Sequence, residues 1–316
     1  MRSRVFCFTL LSTIAISVAV SLPAQAQRAR VFVSVNGNDS NPCTALSPCR
    51  TFQAAHDAVQ PGGEVDVLDT GGYGTLTITK SISIVNPGGV VASIAPVPGQ
   101  SAITVNAQPN DTIALRGLTL DGTGLGSFGI TFNSGGNMDV ADCVVRRYST
   151  NGILFAPNST SSLNVTNSQF NGNGNAGIQI SPSASVVGAL DHVGLYNNGA
   201  EGFALFTDNA PGGTINFTVK DSVASGGRFG FVSSTIGAVN AATRLILVRS
   251  VASNHSDTGI LSQGSGAQVI VDESTIFNNA HAWVAQNGGF IFSHGNNSVE
   301  DNAADDGPVT PAAALK

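Results

Sequence analysis

Hydrophobic positions along this chain come as short in-and-out alternations rather than as helical stripes. A glycine followed by a large apolar residue opens one alternation at Gly129-Ile130, Gly152-Ile153, Gly177-Ile178, Gly202-Phe203, Gly230-Phe231 and Gly259-Ile260. The steps are 23, 25, 25, 28 and 29 residues, and Ala282-Trp283 follows after a further 23. A near-fixed period of this size marks a solenoid, whose coils each need a neighbour to bury their apolar side chains. After each pair comes a short strand (Ile130, Phe132; Ile153, Phe155; Ile178, Ile180; Phe203, Leu205), then turn residues, then a second strand. That strand ends at Val140, Val165, Leu190, Val219, Leu247 and Val271, and a third begins two or three residues later. Period-two runs separated by turn residues specify strands. Three short strands per coil predict an all-β, right-handed parallel β-helix.

Aligned on the second strand, the coils form columns. Leu120, Val145, Phe170, Leu195, Ala224, Ala252 and Ile276 make an apolar ladder expected to point inward. Two residues earlier stand Leu118, Cys143, Ser168, Val193, Ser222, Ser250 and Ser274, where small residues stack and Cys143 reads as a structural thiol rather than a nucleophile. Asn173, Asn198, His255 and Asn279, with Asn197, Asn254 and Asn278 beside them, read as turn residues, since Asn tolerates left-handed angles. Between the inward residues of the Gly-apolar strands stand Thr131, Leu154, Gln179, Ala204, Val232, Leu261 and Val284. They are mostly apolar although alternation aims them outward, and Val232, Leu261 and Val284 are expected to lie under a covering or contacting surface.

The ends divide the chain further. Residues 1–26 hold Arg2 and Arg4, an apolar stretch and Ala24-Gln25-Ala26, the pattern of a cleaved secretory signal peptide. Residues 27–63 are expected to form an N-terminal strand and a capping helix with a disulfide loop: Ser47-Pro48 reads as N-cap and N1, Phe52, Ala55, Ala58 and Val59 share a face, and Pro61-Gly62-Gly63 ends the helix. Such a helix would cover the open first coil. Residues 64–300 are the β-helix, and 301–316 an acidic, flexible tail or a cover for the last coil.

Charge narrows the partners. Removing Arg2 and Arg4 leaves 14 − 2 = 12 basic against 20 acidic residues, a net charge of 12 − 20 = −8. No basic cluster stands out, which argues against nucleic acid and mildly against acidic glycans. After signal cleavage no segment is long enough to insert in a membrane. Cys43 and Cys49 flank a five-residue stretch, and an exported chain would join them in a disulfide worth roughly 2 to 2.5 kcal/mol. A metal site is the rival use of the pair, but no histidine stands at ligand spacing.

The coil pattern, for example "ESTIFNNAHAWV" after "QVIV", and the segment "NPCTALSPCRTFQAAHDAVQPGGEVDVLDTGGYG" resemble secreted bacterial parallel β-helix repeat proteins of the pectin lyase-like fold, over roughly residues 31 to 300. The resemblance implies contact with polysaccharide without fixing an activity. For a calcium-dependent lyase it implies carboxylates on adjacent coils with an Arg or Lys base. The nearest analogue is the bend column Asp142, Asn167, His192, Asp221, Arg249, Glu273, flanked by Asp191, Lys220 and Asp272. Its alternating signs read as a solvated charge ladder, with Asp121 and Arg146 a similar surface pair. The motifs of polygalacturonases do not match: the adjacent pair Asp305-Asp306 follows His294-Gly295 in the tail. Pectinesterase segments are absent too, and "GNDSN" lacks the second glycine of a serine-nucleophile elbow.

Two readings follow. The first is a secreted or periplasmic, non-catalytic β-helix that presents a repetitive face to a polysaccharide or cell-surface component, with no cofactor and no metal. The second is a polysaccharide lyase or glycoside hydrolase with an atypical site at Asp142, Asp221, Arg249 and Glu273, where calcium would enter. The sequence sets no oligomeric state.

Overall fold

A computed structural model describes residues 28–207, 212–236, 242–304 and the backbone of 310–311. The signal peptide expected over 1–26 lies outside them. Successive strands of each coil enter three different parallel sheets of twelve, nine and ten strands, giving the three-sided solenoid that the repeats predict, with about nine coils. The twelve-stranded sheet begins with Arg28–Val33 beside Val59–Val67. The nine-stranded sheet runs from Leu76–Ile78 to His281–Gln286, and the ten-stranded one from Gly71–Gly72 to Ser298–Glu300.

The columns stack in register. Leu120, Val145, Phe170, Leu195, Ala224, Ala252 and Ile276 pair coil to coil, and all are 2% exposed or less. Phe132 and Phe155 stack with ring centroids 4.3 Å apart. The repeated glycine has a steric cause. A Cβ at Gly152, Gly177, Gly202 or Gly230 would lie 2.4 to 2.8 Å from the carbonyl oxygen of the same position in the next coil. Ala282 takes that place only in the last of these strands, at the edge of its sheet.

Two polar ladders satisfy the backbone where the strands bend. Ser168, Ser222, Ser250 and Ser274 each accept from the amide one coil earlier, at Cys143, Val193, Ser222 and Ser250, and donate to the carbonyl two residues back. Cys143 is buried and free. Burial pushes its thiol up to about 11, which leaves it inert. Asn198, His255, Asn279 and Asn302 donate inward to carbonyls of the preceding coil, and Asn173, Asn198, Asn279 and Asn302 accept from its amides. The left-handed conformation belongs to the residue before them, at Asn197, Asn254, Asn278 and Asp301 (φ 51° to 60°). The expectation is thus refined: one residue turns the chain and the next is a buried ladder rung.

The N-terminal helix is shorter than the sequence suggests. It spans Phe52–Ala58, with Thr51 as N-cap accepting from the Ala54 amide. Ser47 is instead held in a tight loop with Thr44, and Cys49 exchanges hydrogen bonds with Phe32 and Ser34 of the first strand. Those bonds keep Ser47-Pro48 out of the helix. At the other end Pro61-Gly62-Gly63 lies inside the strand Val59–Val67, because pairing with Arg28–Val33 wins over continuation of the helix. Hydrogen bonding of the solenoid therefore starts at Arg28 rather than at Glu64. The helix packs on the first strands, with Phe52 against Tyr73, and the Cys43–Cys49 disulfide closes the loop before it.

At the far end the ladder extends through Asn302, and Ala304 bridges His281. Thr310–Pro311 pairs with Phe290–Ser293, so part of the expected tail folds back onto the last coil. The rest of that tail lies outside the described residues.

Candidate functional site

Two rows of charged side chains run along the solenoid. The first is the stripe that the sequence singles out. Asp142, Asn167, His192, Asp221, Arg249 and Glu273 stand one per coil at the bend between the twelve- and ten-stranded sheets, each with φ between 45° and 55°. Arg116 Nε donates to Asp142 (3.0 Å) and Asn167 reaches the other oxygen (3.4 Å). His192 Nδ1 lies 2.8 Å from Asp191. Arg249 forks onto Asp221 (2.8 and 3.1 Å) and extends to Glu273 (3.7 Å), while Lys220 Nζ lies 3.2 Å from Asp221. The Arg249 guanidinium holds the Asp221 carboxyl down to about 2. Asp121 takes Arg146 as expected, and Arg147 as well.

Ligand atoms of Asp191, His192 and Asp221 come within 4.8 Å of one another. Calcium takes about six to eight oxygen ligands, whereas this set offers an imidazole, and both Asp221 oxygens already face Arg249 and Lys220. These residues do not fit calcium.

The second row lines a groove on the outer face of the nine-stranded sheet. There the strands lengthen from three residues (Ile153–Phe155, Ile178–Ile180) to six (Glu201–Phe206, Phe229–Ser234, Thr258–Gln263, His281–Gln286). The additional outward positions build walls, and the outward column becomes the floor. Ala204, Val232 and Leu261 are 0%, 2% and 6% exposed and pack with Phe206, Phe229 and Val284 as an apolar cluster separate from the core. The groove encloses about 650 Å³. It crosses four coils, roughly 14 Å at the ~4.8 Å strand spacing.

Its two rims differ. Glu201, Phe229, Thr258 and His281 follow one another in register along one side. Arg228 lies over the Phe229 ring (4.6 Å) and sends Nε and Nη2 to Asp257 Oδ2, 3.1 Å each. Thr258 donates to the other Asp257 oxygen (2.9 Å). Glu201 Oε2 is buried with no hydrogen-bond partner. Burial raises that carboxyl above its usual range, against the pull of its own amide and of Arg228. Along the other side Gln286 donates to Gln263 (2.9 Å) and Gln263 to Ser234 (3.1 Å). Apolar floor, aromatic wall and amide rim together suit a ligand with both C–H faces and hydroxyls.

Sequence reasoning located the floor but not the rims. Glu201 and His281 directly precede Gly202 and Ala282, and Arg228 and Asp257 lie two before Gly230 and Gly259. The signal was the position before each Gly-apolar pair, which turns from Asn151 and Ala176 to Glu201 where the coils lengthen to 28 and 29 residues.

No protein-family model matches the chain, and no curated protein matches it. Among solved structures the fold is similar to the pectate lyase Pel9A (16% identity, TM-score 0.57, covering 88% of this chain and 78% of that one). It is similar also to a rhamnogalacturonan lyase (15%, 0.61, 83% and 75%) and to an alginate lyase from Paenibacillus sp. str. FPU-7 (14%, 0.63, 87% and 97%). At these identities the likeness establishes the fold, a pectin lyase-like parallel β-helix.

Proposed function

We propose that this chain is an exported, non-catalytic protein that binds polysaccharide in the groove between Glu201 and Gln286. The observation that carries this reading is the groove itself: an apolar floor continuous over several coils and flanked by hydrogen-bonding rims. Sugar rings present flat C–H faces and peripheral hydroxyls, which match such a floor and such rims. The polysaccharide lyases among the structural neighbours support the ligand class, and the Cys43–Cys49 disulfide supports an oxidising compartment.

The test is binding of the purified protein to a panel of soluble polysaccharides, with Val284→Lys as the groove variant and circular dichroism melting as the control for folding. The reading expects saturable binding that Val284→Lys abolishes at unchanged melting. Binding to no polysaccharide would overturn it.

A lyase is the second reading, favoured by those neighbours. It expects unsaturated uronate products, seen as ultraviolet absorbance growing with time.

A further inference from the structure

Among the described residues, Glu201, Arg228, Asp257 and His281 are the titratable side chains lining the groove, and their arrangement bears on what the groove holds. A polyuronate carries one carboxylate per acidic sugar, so its binding face needs cations that are not already neutralised. Arg228 is the one permanent cation among the described residues of the lining. Its Nε and Nη2 both point at Asp257 Oδ2, and its flat face is occupied by Phe229. A uronate would have to take Arg228 from Asp257 and leave that carboxylate facing the ligand.

Glu201 adds to the mismatch. Its Oε2 is buried with no partner, in surroundings that favour the neutral carboxylic acid. A neutral acid both donates and accepts, as a sugar hydroxyl does; ionised, the same group would repel an anionic chain. On the opposite rim the Gln263 and Gln286 amides carry donors and acceptors without charge. We infer that the groove binds a neutral, hydroxyl-rich polysaccharide and discriminates against polyuronates. This rests on the polysaccharide reading above and deepens it.

The test compares neutral chains (a soluble β-glucan, a xylan, a galactan, a mannan) with polygalacturonate, alginate and chitosan, by calorimetry at about 0.1 M salt, where the Debye length is about 10 Å. The wild type should bind at least one neutral chain and neither polyuronate. Gln286→Ala should weaken that binding about fivefold, the loss of one hydrogen bond. Asp257→Asn should give measurable binding to polygalacturonate, because it frees the Arg228 charge.

Wild-type binding to a polyuronate, lost in Val284→Lys, would overturn the neutral assignment and leave the polysaccharide reading standing. Binding to chitosan alone would overturn it in the other direction. Binding to none of the chains would overturn the polysaccharide reading, and this inference with it.

Discussion

The charged stripe and the groove are built from the same coils, yet they differ in what surrounds each charge. On the stripe every member stands at a left-handed bend, where the chain turns out of one sheet before entering the next. Its carboxylates at Asp142, Asp221 and Glu273 face Arg116, Lys220 and Arg249, and solvent reaches all of them. In the groove the side chains stand over lengthened strands, and one carboxyl oxygen of Glu201 is buried without a partner, while Arg228 stays largely exposed. A repeated bend demands residues that tolerate it and pairs their charges along the axis. A repeated outward column, once the strands lengthen, makes an apolar floor and buries one carboxyl oxygen of Glu201 at its edge.

The largest expected effect breaks the floor. Leu261 is 6% exposed and packs with Ala204 and Val232. Leu261→Glu places a charge there with no partner, and should cost about 3 kcal/mol or more. Thermal or urea unfolding measures it. An unaltered melting curve would mean that the outward column is not packed.

The second effect lies just beneath the groove strands and contrasts two histidines by setting. His192 on the stripe is exposed beside Asp191. His255 is a rung of the buried ladder, with Nε2 on the Ala224 carbonyl and Nδ1 without a partner. Burial lowers its pKa to about 4 from 6.5. Between those values the unfolded chain binds a proton that the folded chain refuses, so stability falls as pH drops from about 6.5 towards 4, by roughly 2 to 4 kcal/mol. His255→Asn copies the rung at Asn279 and should remove this part of the acid loss. Unfolding free energies at pH 7 and pH 4 for both proteins decide it, and an equal drop in each would clear His255 of the effect.

How much of this was legible follows from what each residue has to do. The inward ladder from Leu120 to Ile276 was readable because a coil can bury only apolar residues there, and the stripe because its members recur at one offset from the second strand. The helix end was not readable. Whether Val59 continues a helix or pairs with Arg28 is decided by a strand thirty-one residues away, which local pattern does not report. The groove was half legible. Val232, Leu261 and Val284 stood out as apolar residues pointing the wrong way, but Glu201 and Arg228 occupy offsets that hold Asn, Ala and Thr in the preceding coils, so no column drew attention to them.

A third experiment sharpens the contrast at Glu201. Burial raises its carboxyl above the ordinary range, so the folded chain keeps a proton that the unfolded chain has already lost. The slope of stability with pH is therefore negative across that window: the penalty is absent below the unfolded value and grows as pH rises through the folded one. Among the described residues, Arg228, Asp257 and His281 are the other charged or titratable groups lining the groove. Glu201→Gln, neutral at every pH, should be more stable than the wild type at pH 7 and no more stable at pH 3. A gain that persists at pH 3 would show that the amide improves packing rather than removing a charge.

The smallest expected effect falls on the stripe, and its smallness is informative. Arg249 forks onto Asp221 and reaches Glu273, which makes a three-member ion cluster. All three are open to solvent, where attraction is screened and the ordering of long side chains offsets most of what remains. Arg249→Ala should leave the melting midpoint almost unmoved and polysaccharide binding at the wild-type level, while Val284→Lys in the groove does the reverse to binding. Water and neighbouring cations already satisfy Asp221 and Glu273, so nothing there is held ready for a ligand. Loss of binding in Arg249→Ala at an unchanged melting curve, or calcium-dependent release of unsaturated uronates that this substitution abolishes, would transfer the site from the groove to the stripe.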